Sequence, residues 1–542
     1  MLGLLARRNL LDRPWRTALL CLGYGFGVAV MVVLLSIGEA LLAQAGDEKL
    51  VGGGDVTVLP EGLDVEVLKT GGLGGLYFSI QNARFVQQQL LAAPRLAGDV
   101  GAVAPQIDGK LLYLTLPARN GTPGREVPVR GAGEVPSATA AVGAAPALGG
   151  GAWADDAGDR RWTRPAPAEL RHDIDHFHLP PPGLAARESW AEWHYFNVLS
   201  PDRRRWAFVT LMVVGDVGEP DGAGPDGRPR PRWGGQVLVT THAQGEGGRA
   251  GAVRRFAARV PPTAVRFSTR DADVRVGDAS VTVLPDGRYR VVAAAPAEDG
   301  LGGRATVDLL VAPAPRAYFP GATLQSGDFA SGYAVAGLRA DAAGRVCAPG
   351  WGRDAGCERY AGTQAYHDHN WGVWRDVTWE WGAGRAGAYT LLYGRVAPPG
   401  APANTAPPGA PENTASRDSA GAAAPLFLYL VDSLGFRALF RPRLIRYDDA
   451  RTIVVGARAV RIPARGVMED ARGADTLRVE LEVEDAAATD TRLGFIERGE
   501  AAAARRLARP YFVQMKGRLR VSGRAGGAPV VGEGAGFFET YR

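Results

Sequence analysis

Lysine, cysteine and long apolar runs are scarce in this 542-residue chain. Only four of the 62 basic residues are lysine, and the net charge of +5 is small for this length. The chain therefore lacks the dense basic surface that binds nucleic acid, and we expect no nucleic-acid partner. Three cysteines without a CxxC pair exclude a disulfide-rich scaffold and give no cysteine-based zinc motif. No GxxxxGKS/T sequence occurs, so the chain is not a P-loop ATPase.

Glycine and proline are abundant instead, with 73 and 38 residues. Short alternating runs recur between residues 205 and 521, and turn sequences such as Pro285–Gly287 separate them. Many short strands with such turns are typical of β-sandwiches and barrels. At roughly 150 residues per domain, the length predicts three or four domains. A nine-residue repeat within Ala397–Ala415 predicts a solvated hairpin loop without chemistry.

One uncharged and mostly apolar run, Thr17–Gly38, is long enough to cross a membrane as a helix. Four arginines precede it, namely Arg7, Arg8, Arg13 and Arg16. The positive-inside rule therefore predicts a cytoplasmic segment over residues 1–16, an inner-membrane helix over 17–38 and periplasmic or extracellular domains after it. A cleaved signal peptide is the alternative, because Ala43–Ala45 has the A-x-A form, but the apolar run is longer than an ordinary signal requires.

The first 150 residues resemble ABC-transporter permeases of the macrolide-exporter and lipoprotein-release type. Leu4–Ala29 is similar to their first helix, and the segments similar to their extracytoplasmic domain are Gly52–Gly62, Gln81–Pro94, Val100–Leu114 and Arg125–Glu134. The resemblance implies a small α+β domain over residues 45–160, with an ABC permease and an ATPase as partners. That family has three further helices, which this chain lacks, so the chain cannot form the helical bundle alone.

Six of the seven histidines lie in three clusters, Arg171–His178, Ser189–Asn197 and Tyr366–Gly372. Aromatic clusters with a few polar groups suit a hydrophobic cavity. The first cluster could instead be a solvated loop. The second could be a barrel strand whose Trp193 and Tyr195 fill the interior.

The third cluster, YHDHNWG, is the strongest candidate for a functional site. Burial of Asp368, which is flanked by two histidines, would cost too much desolvation free energy for an ordinary core strand. A zinc site could combine His367 and His369 with His176 or His178, but an HxH pair is a weak signal. We therefore expect no metal and no cofactor.

The segments ESWAEWHYFN, GYAVAGL (Gly332–Leu338) and GTQAYHDHNWG (Gly362–Gly372) resemble the carotenoid 1,2-hydratase (hydroxyneurosporene synthase) and AttH-like family. The resemblance covers roughly residues 170–542. It implies a mainly β protein with two consecutive lipocalin-like barrels, over residues 170–375 and 376–542. It also implies an apolar small-molecule ligand, a polyene or a lipid.

This resemblance implies that Asp368 is the acid that protonates a terminal alkene. The catalytic group would be completed by Tyr366, His367 and His369. The substrate-binding residues would be Trp371, Trp374, Trp193, His194, Tyr195, Glu192, Asp175, His176 and His178. The protein would then be a membrane-anchored hydro-lyase, or a lipid-binding protein that isomerises its ligand.

Two further expectations concern a cysteine pair and an alternative function. Cys347 and Cys357 lie just before the third cluster, and outside the cytoplasm they are expected to form a disulfide across a hairpin. The alternative function is a non-enzymatic accessory of an ABC exporter, in which the barrels carry a lipid and the N-terminal region contacts the permease.

Overall fold

The computed structural model describes residues 11–47, 54–58, 80–91, 95–96, 98–116, 124–143, 154–181, 184, 189–215, 234–245, 252–298, 300–326, 329–352, 355–374, 377–397, 426–490 and 510–542. These residues fall into two compact units. The first unit comprises residues up to 78 and residues 100–159, and the second comprises residues 79–99 and 160–542. The glycine-rich segment at residues 71–75 and most of the nine-residue repeat lie outside the described residues.

The N-terminal run forms helix α1, Pro14–Asp47. Proline at the start of a helix is favourable because its missing N–H would have no partner there. Within α1, Pro14–Ser36 has a mean hydropathy of 2.5 and none of it is buried. By length and composition this is the single candidate for a membrane-spanning helix among the described residues.

The rest of the first unit contains an antiparallel hairpin, β1 (Gln106–Leu116) and β2 (Arg125–Glu134), and the short helix α3 (Pro136–Ala141). The described part of the predicted opening strand, residues 54–58, forms no strand. Helix α2 (Ile80–Leu91) matches the predicted Gln81–Pro94 helix, yet it belongs to the second unit. The predicted small α+β domain and its permease resemblance remain predictions.

The second unit opens with α2. Helix α4 (Ala157–Thr163) begins in the first unit and ends in the second, and α5 (Pro167–Asp175) follows it in the chain. The ring of Phe85 on α2 packs edge-on against Tyr318 at 5.2 Å. In α5, the Glu169 carboxylate accepts a hydrogen bond from the Ala166 N–H, which satisfies a free donor at the helix start. Helix α5 ends at a fully buried Asp175.

Twelve strands among the described residues form the first antiparallel sheet. In chain order, β3 to β14 span Trp190–Leu199, Arg205–Val214, Gly235–Ala243, Ala252–Val260, Val265–Phe267, Val274–Val276, Ala279–Val283, Tyr289–Pro296, Arg304–Pro313, Phe319–Ser326, Phe329–Gly352 and Gly356–Val373. Their order in the sheet is β6-β5-β4-β3-β14-β13-β11-β10-β9-β8-β7, and β12 pairs with β13. A bridge between Phe256 on β6 and Ala297 just after β10 curls the sheet into a barrel-like form.

The second sheet has nine strands in the described residues, in the order β18-β17-β16-β15-β25-β24-β23-β22-β19, and β20 and β21 form a separate hairpin. In chain order, β15 to β25 span Thr378–Ala386, Tyr389–Ala397, Phe427–Asp432, Gly435–Phe440, Arg446–Tyr447, Arg451–Val455, Arg458–Ile462, Arg465–Arg472, Asp475–Asp490, Tyr511–Ala525 and Ala528–Tyr541. The chain passes from the first sheet to the second between Val373 and Thr378.

Each sheet encloses its own apolar core, because buried residues alternate with more exposed ones along strands such as β10 and β23. A third cluster of buried side chains joins the two sheets. It contains Tyr195, Phe208, Tyr333, Tyr366, Trp381, Leu392, Tyr429 and Phe537. The expectation of a mainly β protein with two barrel-like sheets and one N-terminal apolar helix is confirmed.

Strands β13 and β14 form the longest hairpin in the described residues, and it carries the predicted disulfide pair. Cys347 and Cys357 are opposite each other in the ladder, with Cα atoms 3.9 Å apart, and their sulfurs are bonded. Two glycines on β13 make room for large residues on β14. A Cβ on Gly332 would lie 2.3 Å from the Trp371 ring, and one on Gly337 would lie 2.9 Å from the Cβ of His367.

Candidate functional site

Strand β14 divides the YHDHNWG cluster between two faces of the first sheet. His367, His369 and Trp371 point into the core of the first sheet, whereas Tyr366 and Asp368 point toward the second sheet. The paired strand β3 divides in the same way, since His194 faces the first core while Tyr195 faces the second sheet. This alternation follows from the two-residue period of a strand. The four residues predicted to act together therefore form two groups.

A cavity of about 360 Å³ lies between the two sheets on the Asp368 side. Its wall combines eight aromatic residues with ten polar or ionisable ones, and it includes Trp193, Tyr195, Asp368, Trp374, Trp379, Trp381, Phe512 and Glu539. The cavity therefore offers a ligand a large aromatic contact area together with polar groups, among them Arg255 and Glu298. It brings together Asp368, Trp193, Tyr195 and Trp374 from the predicted site.

Asp368 is held in one orientation by two donors. The Tyr366 hydroxyl donates to Asp368 Oδ2 at 2.7 Å, and the Asn370 amide donates to Oδ1 at 2.7 Å. Trp381 Nε1 donates in turn to the Tyr366 oxygen at 2.9 Å. Burial raises the pKa of Asp368 well above its ordinary value, and the nearby charge of Glu539 acts in the same direction. Burial outweighs the two hydrogen bonds, which lower this pKa, and therefore favours a neutral carboxylic acid, which can donate a proton.

A second carboxyl group, Glu539 on β25, lines the same cavity. Trp379 Nε1 donates to its Oε2 at 2.9 Å, and Tyr195 and Gln514 donate to its Oε1 at 3.3 Å each. Burial raises the pKa of Glu539 despite these hydrogen bonds. Glu539 was not among the predicted site residues, although an acid within the apolar run AGFFETY is a usable signal.

Several aromatic rings pack together near the acids. The rings of Trp193 and Trp374 lie 5.0 Å apart, and Trp374 meets Trp379 edge-on at 5.7 Å. Trp381 meets Tyr333 edge-on at 5.0 Å. Aromatic faces carry negative partial charge, so such a wall can stabilise a positive charge on a ligand.

The opposite face of β3 and β14 carries a second polar cluster inside the first sheet. Asp175, His194, His367 and His369 are completely buried there. His367 Nε2 lies 2.9 Å from Asp175 Oδ2, and the Tyr289 hydroxyl donates to the same oxygen. Burial alone would raise the pKa of Asp175, but the charge and hydrogen bond of His367 outweigh it and lower that pKa.

Glu192 links this inner cluster to the RHDIDHFH segment. Its carboxylate accepts the His178 N–H and lies 2.9 Å from both His178 Nδ1 and His369 Nε2. The Trp371 ring stacks on His178 at 4.0 Å. His176 is half-buried and contacts the Asp173 carbonyl through Nδ1. The interpretation of this segment as a solvated loop is wrong, because helix α5 and the residues after it pack on the first core.

The predicted site is thus divided as follows. Asp368, Tyr366, Trp193, Tyr195 and Trp374 belong to the inter-sheet side, while His367, His369, His194, Glu192, Asp175, Trp371, His176 and His178 belong to the inner side. No residue of the inner set lines the inter-sheet cavity. The alternative in which Trp193 and Tyr195 fill a barrel interior is likewise wrong, since both rings line the space between the sheets.

No family model and no curated protein matches the chain. Solved structures with a similar fold include an AttH-like protein from Nitrosomonas europaea, with 16% identity and a TM-score of 0.39 over 67% of this chain and 97% of that one. Kievitone hydratase from Nectria haematococca shows 12% identity and a TM-score of 0.38 over 68% and 96% of the two chains. CghA with Sch210972 shows 14% identity and a TM-score of 0.37 over 68% and 97%.

Proposed function

We propose that the inter-sheet cavity binds an elongated apolar ligand, a polyene or another lipid, and that Asp368 protonates a carbon–carbon double bond of that ligand. The observation that carries the proposal is the position of a buried carboxyl group in the wall of an aromatic cavity between the sheets. An apolar chain gains free energy when it covers the aromatic part of this wall. The hydrogen bonds from Tyr366 and Asn370 hold the carboxyl group in place, and burial raises its pKa in spite of them.

The chemistry requires one acid and one water molecule. Transfer of the Asp368 proton to one alkene carbon leaves a carbocation on the other, and the faces of Trp193, Trp374 and Trp379 stabilise that charge. Water adds to the cation and loses a proton to the Asp368 carboxylate, so that an alcohol forms and the acid is regenerated. Loss of a proton from a neighbouring carbon instead would give an isomerised alkene.

His367 and His369 take no direct part in this proposal. Both rings lie inside the first sheet, so neither can contact a ligand in the inter-sheet cavity. His367 Nδ1 is 3.0 Å from the carbonyl of Tyr195, so the ring fixes the strand on which that cavity residue lies.

The decisive experiment compares the wild-type chain with Asp368→Asn and with Asp308→Asn as a matched control. Asp308 is an exposed aspartate that pairs with Arg290, so its amide should leave activity unchanged. With acyclic carotenoids as substrates, we expect Asp368→Asn to lower the rate of alcohol formation at least about 100-fold. Quenching of tryptophan fluorescence should show that it still binds the polyene. Unchanged product formation by Asp368→Asn would refute the acid role.

We also propose that both sheets lie outside the cytoplasm, anchored by α1. The four arginines before the apolar run support this orientation. Protease added to intact spheroplasts should then digest the C-terminal region, whereas protection of that region until the membrane is broken would reverse the assignment. The accessory role beside an ABC permease remains a prediction from the N-terminal resemblance.

A further inference from the structure

The buried cluster inside the first sheet has the composition of a metal site. The ligand atoms of Asp175, His194 and His367 lie within 4.8 Å of one another. A fourth candidate, His369, places its Nδ1 3.8 Å from Asp175 Oδ1. All four side chains are completely buried, so water cannot satisfy their polar atoms.

Each of the three histidines uses one ring nitrogen for a neighbour outside this group. His367 Nδ1 lies 3.0 Å from the Tyr195 carbonyl, and His194 Nε2 lies 2.8 Å from the Ala272 carbonyl. His369 Nε2 lies 2.9 Å from Glu192 Oε1. Because carbonyl oxygens only accept hydrogen bonds, the contacts of His194 and His367 place a ring N–H on the outer nitrogen of each ring. The inner nitrogen of His194 is then a lone pair, and that of His367 faces Asp175 Oδ2 at 2.9 Å.

Several polar atoms of this cluster are not satisfied by the described residues. His194 Nδ1, Asp175 Oδ1 and both ring nitrogens of His369 are buried without a hydrogen-bond partner there. A proton between Asp175 and His367 would satisfy only that one pair of atoms. An unpaired buried polar atom is costly, so a group with several of them calls for a cation that all can share.

We propose that Asp175, His194, His367 and His369 bind a zinc ion. Three imidazole nitrogens and one carboxylate oxygen are a ligand set that zinc accepts in tetrahedral geometry. Ligand atoms held 2.0–2.2 Å from zinc lie roughly 3.3 Å apart, so small side-chain movements close the group around an ion. Ring N–H groups that donate to carbonyl and carboxylate oxygens are the usual support of zinc-bound histidines.

The surroundings indicate a structural ion rather than a catalytic one. The ring of Phe196 stacks on His367 at 4.1 Å, and Phe177 lies 5.0 Å from His369. Four protein ligands and an aromatic shell leave no open position for water or substrate. The ion would join the end of helix α5 to β3 and β14, the strands whose other faces line the inter-sheet cavity.

Elemental analysis of the purified full chain tests the proposal, with His194→Gln as the variant and His176→Gln as the control. His176 is a half-buried histidine outside the four ligands. We expect about one zinc per chain in the wild type and in His176→Gln, and a strong loss in His194→Gln. Glu192→Gln should keep the ligands but weaken zinc binding about 10- to 100-fold, because it removes the support of His369.

A measurement on the wild type keeps the test valid if His194→Gln does not fold. Removal of metal with a chelator should lower the midpoint of thermal unfolding, and stoichiometric zinc should restore it. Cobalt(II) added to the stripped protein should produce the visible absorption of a tetrahedral site. A wild-type chain without bound metal, whose unfolding midpoint responds to neither chelator nor zinc, would overturn the proposal.

Discussion

The two faces of the β3–β14 strand pair differ in what their buried polar groups can do. On the face toward the second sheet, Asp368 lies at a cavity of about 360 Å³ and is neighboured by aromatic rings. On the inner face, Asp175 is completely buried and lies among imidazoles. A carboxyl group beside open space can exchange a proton with a ligand, whereas one enclosed by ligand atoms can only hold a cation or a proton in place.

The electrostatics of the two aspartates are opposite. Burial raises the pKa of Asp368, and no cationic side chain opposes this effect among its hydrogen-bond partners Tyr366 and Asn370. Burial acts on Asp175 too, but the charge of His367 outweighs it and lowers the pKa. His367 therefore contacts an ionised aspartate, Asp175, on the inner face, whereas the next residue in the motif, Asp368, is itself neutral on the other face.

The largest expected effect is on stability and should separate the two aspartates. Asp175→Asn removes the partner of a buried imidazole, which typically costs about 3–5 kcal/mol of unfolding free energy. Asp368→Asn should change that free energy by about 1 kcal/mol or less, because an amide can keep partners in Tyr366 and Asn370. Urea unfolding of both variants measures the difference. Equal losses of unfolding free energy in the two variants would contradict the distinction between the two faces.

A pair of tryptophans from the same motif region offers a second comparison. Trp374 lines the cavity, so Trp374→Ala should weaken polyene binding roughly tenfold, equivalent to about 1.4 kcal/mol. Trp371 stacks on His178 on the inner face, so Trp371→Ala should leave the dissociation constant unchanged and cost about 3 kcal/mol of stability. Fluorescence titration and thermal unfolding measure the two quantities. If Trp371→Ala weakened ligand binding and Trp374→Ala did not, the ligand would lie on the inner face, and its assignment to the inter-sheet cavity would be wrong.

The smallest expected effect is a displacement of the pH profile. The reaction requires protonated Asp368, so the rate should fall as the pH rises through the raised pKa of that acid. Glu539 raises this pKa by its charge, while Tyr366 and Asn370 lower it by hydrogen bonding. Glu539→Gln should therefore move the alkaline fall of the rate to lower pH. The rate of alcohol formation across pH measures it, and a shift to higher pH would contradict the charge argument.

The sequence alone was sufficient for several features. Alternation of apolar residues with glycine-rich turns predicts a mainly β protein, because a strand buries every second side chain. The run Thr17–Gly38 predicts the apolar helix, since only length and lack of charge matter for it. The resemblance of the YHDHNWG segment directed attention to Asp368, which does line the cavity.

The assembly of the site could not be deduced in the same way. Glu539 lies 171 residues from Asp368 in the chain, and only the packing of β15 and β25 against the first sheet brings both into one cavity. Asp175 likewise meets His367 only because α5 folds onto β13 and β14. The spacing of residues in the sequence does not reveal contacts between residues so far apart in the chain.

What the sequence by itself determined is therefore local: the apolar helix, the strand periodicity, and the residues that are too polar for an ordinary core. The tertiary structure decided which of those polar residues share a space. Side chains alternate across a strand, so Tyr366 and Asp368 face the second sheet while His367 and His369 face the first core. The face toward the second sheet becomes a cavity because that sheet packs over it. The inner face becomes a closed polar cluster because the core of the first sheet covers it.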